Sequence, residues 1–153
     1  MRVLVIVVLF IVATSFRVSY IHNVLMAAGT CVAPSMDVWA ELQENQWDTW
    51  VMTKVDAVCV HPWFFLSMSF PLPVATIGEA WIGSASRMAE AHVAGRGRDA
   101  RDVAAIVVHE AAHLWGYRLR GSTCNEEFAQ LIMDQFKAGS APPLMVTHDD
   151  CEK

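Results

Sequence analysis

DARDVAAIVVHEAAHLWGYRLRG, residues 99–121, is the stretch on which the reading of this chain turns. Asp99 is suited to be an N-cap, because its short carboxylate can accept a backbone N–H from the first helical turn. Val103, Ile106, Val107, Ala111 and Leu114 recur at helical spacing, which predicts a helix from residue 100 to about residue 117. Gly116 and Gly121 mark its end and the following turn. His109, Glu110 and His113 interrupt this apolar helix. Burying three such groups without a compensating partner is costly.

His109 and His113 are one turn apart, so both imidazoles project from the same face. That spacing allows two neutral ring nitrogens to bind one Zn²⁺ at about 2.0–2.1 Å. Glu110, beside His109, can reach a zinc-activated water and take its proton as general base. The alternative is a solvated or core-lining histidine pair with Glu110 an ordinary helix residue. The segment His109-Glu110-Ala111-Ala112-His113 resembles the H-E-x-x-H signature of the zincin metallopeptidases.

A catalytic zinc needs a third protein ligand and an open position. Gly116 matches the glycine of the metzincins, but Leu119 stands where they carry a third histidine. Residues 125–130, NEEFAQ, resemble instead the N-E-x-x-S-D pattern of the gluzincins, typified by thermolysin, with Ala129 and Gln130 replacing Ser and Asp. The likeness is confined to the two helices. It implies that Glu126 is the third ligand, that Ala129 lets the helices approach, and that Gln130 or Asp134 orients a zinc histidine. A competing reading makes Thr123 the N-cap of a capping box closed by Glu126, leaving Glu127 as ligand. The second helix is predicted over about residues 125–137, with Phe128, Leu131, Ile132 and Phe136 on one face.

Upstream, residues 37–50 (DVWAELQENQWDTW) read as an amphipathic helix capped by Ser35 or Asp37, its tryptophans belonging to the core. Residues 51–70 are strand-like but interrupted at Pro62, and Pro71 and Pro73 mark a break. Residues 76–84 form a short strand candidate. The resemblance implies that this strand pairs with extended peptide, with Trp81 and Gly83 as wall and clearance. Residues 86–94 are alanine-rich and read as helix, ended by Gly95-Arg96-Gly97, which lacks the lysine of a phosphate loop.

The 153 residues suit one domain, and a net charge of −5 without a basic block argues against a nucleic-acid partner. Cys31, Cys59, Cys124 and Cys151 are scattered, which disfavours a cysteine zinc knuckle and suits two disulfides in an oxidising compartment. Four buried thiols are the alternative. Residues 3–13 are an unbroken apolar run after Arg2, laid out like a signal peptide and shorter than the ~20 residues of a membrane span. An anchor or a buried strand are the other readings.

Together these features predict an α+β, minimal zincin-like domain: a small mixed β-sheet, an HExxH active-site helix and a following ligand-bearing helix. Residues 1–16 would be a signal peptide or membrane anchor, 17–138 the metallopeptidase domain and 139–153 a polar tail. The expected function is zinc-dependent peptide-bond hydrolysis, with His109, His113 and Glu126 holding Zn²⁺ and Glu110 as general base. The expected partner is a peptide or protein substrate. The expected location is secreted or membrane-anchored. The rival readings are a zinc amidase on a non-peptide or cell-wall substrate and a noncatalytic secreted or tethered binding domain. Tyr117 is a weaker candidate for oxyanion stabilisation and His148 for a residue folding over the site; His22, His61 and His92 have no partner at useful spacing.

Overall fold

The computed structural model describes residues 32–61, 65–69, 72–82, 89–95, 97–144 and 151. The signal or anchor segment, His22, Gly83 and His148 therefore lie outside the described residues.

Helix and strand are mixed, compatible with an α+β class. The first helical stretch is broken: α1 (Met36–Gln43) and α2 (Trp47–Met52) are joined by a 3₁₀ turn, Glu44–Gln46, with Asn45 and Gln46 in the left-handed region at φ 55° and 67°. The single helix read over residues 37–50 is thus two. Contacts of α2 explain the bend: the indole N–H groups of Trp47 and Trp50 donate to the carbonyls of Ser140 and Pro143, at 2.8 and 3.2 Å. Trp47 also meets Trp50 and Phe136 edge-on, with ring centroids 5.2 and 5.6 Å apart. Trp47 and Trp50 are core, as read, and Trp39 packs partly buried against it. Ser35 stands at the N-cap position of α1 without a side-chain cap bond.

Strands β1 (Ala57–His61), β2 (Phe65–Ser69), β3 (Leu72–Thr76), β4 (Gly78–Ile82) and β5 (Ala89–Ala94) form two sheets. One is mixed, in the order β1-β5-β4, with β5 parallel to β1 and antiparallel to β4. The other is the antiparallel pair β2–β3, in which Pro73 lies within a strand opposite Met68 instead of breaking it. A two-stranded sheet has only edge strands, where proline is tolerated.

The alanine-rich stretch is the main correction: residues 89–94 are the central strand, not a helix. Ala89, Ala91 and Val93 are fully buried in one cluster with the helices. Their short side chains let a long helix lie close on the sheet, and this packing overrides alanine's local preference. That helix, α3 (Ala100–Arg120), begins at Asp99, whose side chain accepts from Asp102 N at 2.8 Å, and ends at Gly121 with φ 79°. It crosses β4 and β5 and packs against α4 (Glu126–Lys137). Phe128, Ala129, Ile132 and Phe136 form the buried face of α4, whereas Leu131 is exposed, contrary to the periodicity reading. Cys124 is disulfide-bonded to Cys151, Cys59 is disulfide-bonded as well, and no described cysteine is free.

Candidate metal centre

The site forms where α3 and α4 converge beside β4. Val103, Val107, Ala111 and Leu114 anchor α3 in the core. The helical pitch then turns His109 and His113 toward α4. Their rings lie 4.9 Å apart at 78°. Glu126, first residue of α4, reaches back to both: Oε1 is 3.2 Å from His109 Nε2 and Oε2 is 3.1 Å from His113 Nε2. The structure thus brings together the three residues predicted as metal ligands.

Glu126 occupies this position because it is the first residue of the helix, directly after the N-cap. Asn125, not Thr123, is the N-cap, its Oδ1 accepting from Phe128 N at 2.8 Å. The capping box does not form, Glu126 is left to turn toward the histidines, and Glu127 stands apart from the group.

The donor chemistry fits a metal ion. His113 Nδ1 lies 2.7 Å from the carbonyl of Cys124, which can only accept. In the neutral ring Nδ1 therefore carries the proton and Nε2 presents a lone pair. In that form the lone pair faces a Glu126 carboxylate oxygen at 3.1 Å, an arrangement that a bound cation relieves. Ligand atoms about 2.0–2.1 Å from a tetrahedral ion lie roughly 3.3–3.4 Å from one another, close to the spacings here. His109 is held below the ordinary histidine range, chiefly by burial, with Glu126 pulling the other way and His113 adding to the depression. It is thus neutral near pH 7, the form a metal needs.

Glu110 lines the same cleft, of about 390 Å³, and is buried. Its carboxylate rests against Gly78 at the start of β4, where a methyl group would collide with Glu110 Oε1 and come 2.8 Å from Ile106 Cγ2. Ile77, Gly78 and Met133 also line the cleft. Among the described residues β4 is a border strand of its sheet, and its first residue, Gly78, lines the cleft.

Several secondary expectations change. The orienting partner of His113 is the Cys124 carbonyl, while Gln130 donates to Asp134 at 2.9 Å. His109 Nδ1 is buried without a hydrogen-bond partner among the described residues. Tyr117 does not line the cleft. His61 and His92, read as partnerless, are joined at 2.9 Å, with Glu90 2.9 Å from the other nitrogen of His92. Only the parallel register that sets Cys59 opposite His92 makes this pairing, and spacing along the chain carries no sign of it. Cys59, Glu90 and His92 form a second cluster of ligand-type atoms, but the Cys59 sulfur is in a disulfide and offers no thiolate. The larger cavity, about 800 Å³ and bordered by His61 and Arg98, contains none of the converging ligands.

Comparison of the chain with protein-family models, curated proteins and solved structures finds no match.

Proposed function

We propose that this protein is a zinc-dependent peptide-bond hydrolase with a minimal zincin-like, gluzincin-type site. One observation carries the reading: His109 and His113 meet on Glu126 at 3.2 and 3.1 Å, and Glu110 opens into the same cleft. Zinc is favoured because two imidazoles and one carboxylate suit it and leave a position open. When bound, it supplies Lewis acidity that brings the pKa of a water toward about 7.

The protein's own groups then divide the work. His109, His113 and Glu126 hold the ion. Glu110, one residue from a ligand but turned toward β4, takes the proton from the attacking water and returns it to the departing amine. An extended substrate adds to β4, a border strand among the described residues, its backbone pairing as a further strand. The disulfides accord with an oxidising, extracytoplasmic location.

The decisive experiment is cleavage of a peptide library by the zinc-loaded full chain, with a chelated sample and Glu110→Gln as controls. Glu110→Gln should keep stoichiometric zinc yet lose about 10²–10⁴-fold in turnover. A wild-type protein without stoichiometric zinc, or a fully active Glu110→Gln, refutes the assignment.

A further inference from the structure

We propose that the Cys124–Cys151 disulfide is a strap that positions the metal site, making metal affinity depend on whether that bond is oxidised. The inference rests on the metal reading of His109, His113 and Glu126 and adds a control on it.

Cys124 sits between the two ligand helices, and both its backbone groups are committed to one ligand. Its N–H donates to the backbone carbonyl of His113 at 2.9 Å, and its carbonyl accepts from His113 Nδ1 at 2.7 Å. The second bond fixes which ring nitrogen is free for a metal. Two residues later the same backbone carries Glu126. A displacement of Cys124 therefore disturbs two ligands together, one in orientation and one in position.

Three features hold Cys124 in place. Gly116, one turn beyond His113, lets the loop lie directly on α3: a methyl group there would come 2.6 Å from both Cys124 N and Ser122 O. Asn125, the cap of α4, donates its backbone N–H to the carbonyl of Cys151 at 3.2 Å. The disulfide ties Cys124 to Cys151, and both residues are buried. By contrast, Ser122 and Thr123, the two residues before Cys124, are exposed. The strap is thus the covalent part of an otherwise short, solvated loop.

Opening the strap needs a dithiol or comparable reductant. A reductant thiolate attacks one sulfur, the S–S bond breaks and one cysteine leaves as a thiolate. The second reductant thiol then resolves the mixed disulfide. Both cysteines end as thiols and the dithiol as its own disulfide. With the strap open, the Cys124 carbonyl no longer has a fixed place against His113. Loss of such an orienting partner typically weakens metal binding about 10–100-fold.

The test is competition of the metal-free full chain against a chromophoric chelator for Zn²⁺, comparing wild type with the double variant Cys124→Ala/Cys151→Ala. Circular dichroism reports the fold, and the visible bands of bound cobalt report ligand geometry. We expect zinc affinity to fall about 10–100-fold with the helical signal kept, cobalt bands to change, and occupancy to recover at raised zinc. Affinity within twofold of wild type overturns the strap while leaving the metal site standing; a wild type that binds no zinc removes the metal site itself. If the double variant does not fold, folded wild type is partially reduced, alkylated and sorted by mass. Zinc lost only from molecules alkylated at Cys124 and Cys151 sustains the proposal, and zinc retained in them overturns it.

Discussion

At Gly78 a hydrogen atom stands where any other residue would carry a methyl group, and the Glu110 carboxylate uses that space. Gly78→Ala should therefore displace Glu110, the proposed base, without touching a proposed metal ligand. A misplacement of about 1 Å can cost about 10²-fold, so turnover should fall on that order while zinc stoichiometry stays at the wild-type value. Parallel kinetics and metal analysis check this, and equal losses of both would contradict it. His109 gives a pH dependence. Burial, its largest influence, holds the folded group below its ordinary value, so the unfolded chain binds more protons just below about pH 6.5. Stability of the metal-free protein then rises with pH through that interval and is lost as pH falls below about 6.5. Thermal midpoints of the metal-free chain between about pH 8 and about pH 5 should show this slope, and His109→Gln should flatten it. His109, Glu110 and His113 were legible from spacing and Glu126 from the resemblance of residues 125–130; the contact of Gly78 with Glu110 was not. That contact depends on a strand and a helix meeting in space, and nothing in residues 76–84 points to Glu110.

Among the elements, α4 links stability to the site most directly. Asn125 caps it and Glu126 follows immediately, so fraying of the first turn would release the proposed third ligand. Asn125→Ala should cost about 1 kcal/mol, or roughly 2–4 °C in the melting midpoint, and weaken zinc binding as well. Asp99→Ala removes the equivalent cap from α3 at a similar cost. It lies about 15 Å along the axis from His109, so zinc affinity should be unchanged. Chelator competition separates the two variants, and equal zinc affinity in both would argue that the first turn of α4 does not position Glu126. The long helices were readable from their apolar stripes, and α3 from its Asp99 cap as well. The stretch 89–94 carries neither signal: it is short and alanine-rich, and it becomes a strand because β1 and β4 flank it and α3 needs small side chains beneath it. The bend at Asn45 and Gln46 was equally hidden. It answers to the carbonyls of Ser140 and Pro143, almost a hundred residues away in sequence.

Across the whole molecule, what could not be read from the sequence is long-range pairing: Trp47 and Trp50 with residues 140–143, Cys124 with Cys151, and His61 with His92. Each joins groups brought together by the folded arrangement, whereas composition and periodicity report only neighbours. On the proposed reading, the same closure makes metal binding a property of the fold as a whole. His109 and His113 are fixed by the core of α3, and Glu126 comes from a second helix whose buried face, Phe128, Ala129, Ile132 and Phe136, must dock first. An unfolded chain holds these ligands apart, so zinc should favour the folded state. At a free zinc concentration one hundred times Kd the linkage is about 2.7 kcal/mol, which for a chain of this size raises the melting midpoint by roughly 5–10 °C. A chelator should reverse the rise. Glu126→Gln, which keeps the helix and its cap but weakens the third ligand, should lose most of it, whereas Glu127→Gln should keep it. Calorimetry of the three proteins with and without zinc decides the matter: a Glu126→Gln variant stabilised as much as wild type would place the third ligand elsewhere.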